Sequence, residues 1–320
     1  MHTPPDVTAL GHRYLGTYLL ASPLFFGYFA ADATFRAAGD TRTPFVLLLT
    51  SVAVTLVLDP VLILGLGPFP ALGIAGAAVA TVGVRSVAFA IGLTLLVRRG
   101  LVRVRLPSPA TAWSIARIGL PPALTGVLFS LIYVALTRTT TRFGTPALAA
   151  LGLGHRVESW LYMIGVGFGA AAAAIVGQNL GAGERARAMR AGWVITAYAT
   201  LPALFGATLS LAMPERVAAL FTPDAAVIAE AARYLRIVAV AQLFVCAELV
   251  LESAMGGAGD TIPPMVSSTV LTLLRVPLAA WAASHWGIVG IWWVLSLTAV
   301  GRGVAMMALW RAGRWQRKSV

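Results

Sequence analysis

The chain has 320 residues, 58% of them hydrophobic and only 11% charged, with a mean hydropathy of +0.83. Soluble domains run near about 45–50% apolar and about 25% charged, so water is not the solvent for this surface and a soluble enzyme or binding domain is excluded. The formal charge of +12 would point to nucleic acid in a soluble protein, but here the arginines gather in alternate loops between apolar runs, which excludes that partner.

In chain order the apolar runs predict spans at 9–37, 44–66, 70–97, 112–137, 146–177, 190–212, 226–255, 263–283 and 286–310. Each is long enough to cross a hydrocarbon core of ~30 Å at 1.5 Å per residue. Alternation of period two is missing, and lipid offers open strands no partner, so an all-α integral membrane bundle of about nine helices is expected. The loops after the first, third, fifth and ninth spans hold most of the basic residues, among them Arg36, Arg42, Arg98, Arg99, Arg185 and Arg187, and the tail holds Arg311, Arg314, Arg317 and Lys318. The positive-inside rule then places these loops and the C-terminus in the cytoplasm and the start of the first helix outside, as a multi-pass protein of the bacterial inner membrane. Cys246 is the only cysteine, so neither an intrachain disulfide nor a CxxC pair is available. Residues 1–6 lack the basic and short apolar regions of a signal peptide.

Shifting the chain by about 220 residues brings an internal repeat into register. Arg13-Tyr14-Leu15 falls on Arg233-Tyr234-Leu235, and Gly39-Asp40-Thr41 with Pro44 falls on Gly259-Asp260-Thr261 with Pro264. Gly73-Ile74-Ala75-Gly76 meets Gly287-Ile288-Val289-Gly290 once a short gap is allowed. Residues 1–110 therefore read as the last three helices of one lobe and 111–320 as a six-helix second lobe, two parallel repeats related by an axis along the membrane normal. On this register the chain reads as the last nine helices of a twelve-helix protein, the alternative being a natural nine-helix protein.

Four segments then carry a likeness: residues 36–44 (RAAGDTRTP), Leu58-Asp59-Pro60, residues 73–81 (GIAGAAVAT) and residues 177–183 (GQNLGAG). With them the chain resembles, over essentially its whole length, the multidrug and toxic compound extrusion (MATE) family of drug/cation antiporters. The resemblance implies two six-helix lobes around a central cavity, with small organic cationic or amphipathic substrates exchanged for H+ or Na+ by alternating access. No cofactor beyond that coupling ion, no metal centre and no nucleic-acid partner is expected, and a monomer in the lipid bilayer is.

Asp59 is the first choice for a titrating group, because a carboxylate well inside a spanning helix is expensive and usually functional. A bound cation and a proton compete for one carboxylate, and Pro60 would leave a backbone carbonyl unpaired beside it. The alternative is a structural ion pair with Arg85. Thr55 stands one turn earlier, where the family usually has asparagine, and Thr81 matches a family position that completes the hydrogen-bond network. In the second lobe Glu248 and Glu252 share a helix face, with Arg275 as either the partner of Glu248 or part of a second cation site. Family members often carry an acid on the first helix of that lobe, but residues 126–130 hold none; the acid on the family's first helix has no stand-in either. His155 and Glu158 form a proton relay or a local charge pair. Gln178 and Asn179 sit in a segment expected to be a tight turn or a gate, and both Gly-Asp-Thr segments are expected to be structural turns. Trp113, Trp193, Trp310 and Trp315 fit an interfacial belt, and Trp292 and Trp293 face either lipid or a cavity.

Gly257-Ala258-Gly259-Asp260 spells the GxGD of intramembrane aspartyl proteases, but Asp260 falls at a loop boundary, and neither HExxH nor GxSxG occurs, so no catalytic residue is assigned. A lipid-linked oligosaccharide flippase is the nearer rival, kept alive by Arg85, Arg156 and Arg275. A third reading is an inactive fragment, since three helices of the first lobe are missing from the expected plan.

Overall fold

The computed structural model describes residues 5–102 and 108–317, and the described residues contain helices and no strand. The helices are α1 (Pro5–Leu20), α2 (Ser22–Ala37), α3 (Arg42–Leu64), α4 (Ile74–Arg98), α5 (Pro109–Thr140), α6 (Thr145–Gly181), α7 (Arg185–Ala212), α8 (Pro214–Ala219), α9 (Ala225–Val238), α10 (Ala241–Gly257) and α11 (Ile262–Ala312). Short 3₁₀ turns follow at Thr141–Phe143 and Arg314–Arg317. Two compact units emerge, residues 1–106 and 107–320.

Among the described residues six helices, α3 to α7 and α11, are long and apolar enough to cross a membrane, and α9 with α10, bent by 56°, adds a seventh if the pair is counted as one broken span. The 51 residues of α11 are interrupted at Gly287 (φ 63°, ψ −147°), so the stretches on either side correspond to the two predicted spans 263–283 and 286–310. The predicted first span, 9–37, differs: it is two 16-residue helices broken at Ala21. Pro23 explains the break. Proline has no N–H to give the carbonyl four residues back, and its ring crowds that carbonyl. The Leu19 carbonyl instead accepts from the Ser22 hydroxyl at 2.8 Å.

The surface confirms lipid as solvent. Large apolar side chains such as Leu56, Val57, Leu120 and Val127 point outward, and hydroxyls in the spans fold back on their own helix. Ser51 donates to Leu47 O, Thr137 to Tyr133 O, Thr196 to Gly192 O and Thr272 to Ser268 O, all at 2.6–2.9 Å. With no water available, a hydroxyl must find a carbonyl in its own turn.

In the first unit, α4 packs along α1, α2 and α3 around Phe35, Ala31 and Leu96. In the second unit, α10 packs against both α6 and α11. Gly257 makes that approach feasible, since a Cβ there would stand 2.2 Å from the Ala173 carbonyl oxygen.

The sequence repeat is also a backbone repeat. Gly39 (φ 86°) and Gly259 (φ 75°) both take left-handed conformations, and the next amides, Asp40 N and Asp260 N, donate to Phe35 O and Met255 O, each at 2.9 Å. Such a helix-ending turn needs glycine. Gly73 (φ 57°, ψ −137°) and Gly287 share a second unusual conformation. Shortly after each, a Cβ on Gly76 or Gly290 would meet the carbonyl oxygen of Leu62 or Ala282, in both cases at 2.5 Å.

Candidate functional site

In the first unit Asp59 lies inside α3, six residues before the glycine that ends the helix. Its Oδ1 is buried with no hydrogen-bond partner, and among the described residues it belongs to no ion pair. The expected alternative, a pair with Arg85, is not formed: the Arg85 guanidinium sits 4.6 Å over the Tyr28 ring, and its Nη1 is also buried without a partner. The aromatic face on α2 draws the arginine away from α3. Thr55 and Thr81 are half-buried on α3 and α4, and neither is hydrogen-bonded to Asp59 among the described residues. Tyr14 of α1 is near enough to feel the Asp59 charge. α3 runs through Pro60 without a break.

A second carboxylate of this unit went unnoticed in the sequence. Asp32 of α2 is ion-paired with Arg36 one turn on, with its side chain 12% exposed. The signal was present, since an acid inside an apolar span is the feature that singled out Asp59.

At the end of α2, Asp40 does cap α3: its Oδ1 accepts from the amides of Arg42 and Thr43 at 3.0 and 2.9 Å, and Oδ2 lies 2.5 Å from Arg99 Nη1. Hydrogen bonds from Thr43, then Arg99, hold its carboxyl well below the usual carboxylate range. Thr41 occupies the N-cap position without a side-chain bond.

In the second unit Glu248 is buried on α10 and accepts from Ser268 Oγ at 3.1 Å. Its charged partner is Arg302, at 3.4 Å, so the pair with Arg275, one of the two readings offered by the sequence, is not formed. Arg275 donates instead to Thr298 Oγ1 at 2.7 Å and toward Leu295 O at 3.5 Å, both on the second half of α11. The reason is packing. Gly303 lets the second half of α11 abut the backbone of Phe244, which carries the neighbouring Arg302 against α10. Arg302 also approaches Thr272 Oγ1 at 3.4 Å and keeps a buried Nε without a partner. Glu252, half-buried one turn beyond Glu248, is in no ion pair among the described residues but lies within electrostatic reach of Glu248 and Arg302.

A second polar cluster centres on Tyr234 of α9. Its hydroxyl donates to Glu158 Oε1 at 2.8 Å, and His155 Nδ1 stands 3.5 Å from the other carboxylate oxygen. The Tyr133 ring meets His155 edge-on at 4.6 Å, and Tyr234 meets Trp292 edge-on at 4.8 Å. The Trp292 indole donates to Glu230 at 2.8 Å, which also pairs with Arg233. Trp292 is thus fully buried, while Trp293 is half exposed.

Two expectations need correction. Gln178 and Asn179 are not in a turn: α6 continues to Gly181, the Asn179 amide donates to Ile175 O at 2.7 Å, and the reversal comes at Gly183 (φ 80°). Trp310 and Trp315 are not an interfacial belt. They stack on one another at 4.0 Å and are buried, because Gly192 of α7 leaves room for the Trp310 ring.

Comparison with known proteins follows the same lines. The family profile described as MatE matches residues 1–61 and 121–281. The probable multidrug resistance protein NorM of Thermotoga maritima is 26% identical over 328 residues, covering 98% of this chain and 69% of that protein. A protein of Shewanella oneidensis named FAD transporter is 29% identical over 304 residues, covering 92% of this chain and 66% of its own length. Among solved structures, the Vibrio cholerae MATE transporter VcmN in its bent form matches 99% of this chain and 73% of that one, with a TM-score of 0.84 at 22% identity. The chain thus spans about two thirds to three quarters of the length of these relatives.

Proposed function

The chain belongs to the multidrug and toxic compound extrusion (MATE) family, whose members are membrane transporters and not enzymes, and on that premise we propose that it expels small organic cationic or amphipathic solutes in exchange for H+ or Na+. The reading places it as a monomer in a bacterial inner membrane with its C-terminus in the cytoplasm, supported by the arginines in alternate loops. Residues 1–110 are then part of one lobe and 111–320 the other, and they take turns opening the site to either side.

One observation carries the coupling proposal: a carboxylate oxygen of Asp59 is buried in a membrane-spanning helix with no donor beside it. An ionised carboxylate there is costly without a partner, and a bound cation would supply one. Mutual exclusion of proton and cation at one carboxylate is the elementary requirement of antiport. Thr55 and Thr81 supply hydroxyls on α3 and α4 for a bound ion, and Glu158, Glu248 and Glu252 with Arg275 are the polar stations of the second unit.

Ethidium efflux from cells, followed with imposed pH or Na+ gradients, tests this. Asp59→Asn is expected to lower gradient-driven efflux at least tenfold with unchanged membrane expression. Efflux that persists in Asp59→Asn with its ion dependence intact would refute it. A second reading takes an anionic solute. It is favoured by the partnerless nitrogens of Arg85 and Arg302 and by the name of the Shewanella relative. Preferred export of FAD over ethidium would select it, and transport of a lipid-linked oligosaccharide would select the flippase variant of the same idea.

A further inference from the structure

We infer that the end of the second unit carrying the start of α7 and the end of α11 is a docking surface for the headgroups of anionic phospholipids. The C-terminal 3₁₀ turn folds back there. Gly313 (φ 68°) reverses the chain after α11, Trp315 stacks on Trp310 within 12° of parallel, and its indole donates to the Trp310 carbonyl at 3.0 Å. Trp310 in turn fills the notch at Gly192 of α7, where a Cβ would stand 2.2 Å from the ring. This buried stack brings Arg311, Arg314 and Arg317 to the same end as Arg185, Arg187 and Arg190 of α7.

All six arginines are exposed, and among the described residues none forms an ion pair. Arg233, Arg236 and Arg302 of the same unit each have a carboxylate. In the two segments concerned, 184–190 and 311–317, Glu184 is the only acid. Three of the arginines crowd the N-terminal turns of α7, where the helix dipole disfavours positive charge. The arrangement therefore stores repulsion that a counter-anion would relieve. Guanidinium groups match phosphate oxygens in a two-pronged geometry, and the patch lies where spanning helices end, at the depth of lipid phosphates. The soluble source of the same chemistry, free phosphate, lacks that anchoring. This inference does not depend on which solute is carried.

The test uses the full chain purified in neutral detergent with phosphatidylcholine. Thermal unfolding is followed by tryptophan fluorescence during titration with phosphatidylglycerol, and in parallel with glycerol phosphate. Phosphatidylglycerol is expected to raise the midpoint, with half-effect shifted about fivefold for each arginine removed in Arg187→Gln/Arg190→Gln and Arg314→Gln/Arg317→Gln. The midpoint in phosphatidylcholine alone reports that the variants fold, and Arg233→Gln/Arg236→Gln serves as a control that keeps the response. An unchanged phosphatidylglycerol response in both double variants would overturn the inference. So would an equal response to glycerol phosphate at matched concentration, which would make the patch a site for soluble anions.

Discussion

Replacing Arg302 by methionine removes the ion-pair partner that Glu248 has among the described residues while keeping most of the side-chain volume against α10. The Nη1 to Oε1 separation is 3.4 Å, and the two side chains are 11% and 5% exposed. At an effective dielectric constant of about 20, that separation corresponds to an attraction of ~5 kcal/mol. Taking two ions out of water costs several kcal/mol each, so the intact pair adds little net stability. Its loss is another matter. Arg302→Met leaves Glu248 with Ser268 alone and with Glu252 as a like-charged neighbour, and a loss of about 3–5 kcal/mol is expected. Glu248→Gln strands Arg302, whose Nε already lacks a partner, at a similar cost. The double variant Glu248→Gln/Arg302→Met strands neither charge and should lose under about 2 kcal/mol. Unfolding free energies of the four proteins in one detergent give the coupling directly. If the two single losses simply add in the double variant, the pair is not the buried unit described here.

Two further outcomes follow from backbone geometry and from charge. Gly257→Ala puts a methyl carbon 2.2 Å from the Ala173 carbonyl, so it should destabilise by about 1–3 kcal/mol in thermal unfolding. Gly181→Ala, with open space around it, should stay within about 1 kcal/mol of the parent; equal effects would refute the close approach of α6 and α10. For Asp40, whose carboxyl is held below its ordinary range by Thr43 and Arg99, the stabilising contribution is fully present above the unfolded value of about pH 4 and lost as pH falls through the lowered folded value. Asp40→Asn should therefore lower the unfolding midpoint at pH 7, with the gap to the parent narrowing in acid; a gap constant down to pH 2 would count against the cap.

Features written in local sequence were legible. The Gly39-Asp40-Thr41 and Gly259-Asp260-Thr261 turns follow from the residue types such a backbone tolerates, and the repeat doubles the signal; the register of Gly73 with Gly287 was visible too, though not the backbone conformation they share. Pro23 also announces the α1/α2 break, though long apolar runs on either side disguise it. What was not legible needed the rotation of one helix about its axis relative to another. Arg275 and Arg302 both lie on α11, and the spacing of residues along it does not say which of them meets Glu248; the close contact of Gly303 with Phe244 favours Arg302. The burial of Trp310 and Trp315 likewise depends on Gly192, more than a hundred residues away, so their position near helix ends was a poor guide.

The repeat also exposes how the two units diverge. At the offset of about 220 residues, Tyr28 is the counterpart of Glu248, and Asp32 of Glu252. In both units an arginine from the helix after the Gly73 or Gly287 kink reaches that position: Arg85 over Tyr28 at 4.6 Å, Arg302 beside Glu248 at 3.4 Å. The second unit thereby spends its arginine on a buried carboxylate. In the first unit the arginine meets an aromatic ring, and one Asp59 oxygen and one Arg85 nitrogen are left buried without partners, each at a cost of about 1–3 kcal/mol. A structural pair between them would have removed both penalties. Keeping an acid and a base apart in the same unit is what a site needs if it is to be completed by a mobile ion, and it is the ground on which we propose coupling at Asp59 before the more tightly paired Glu248.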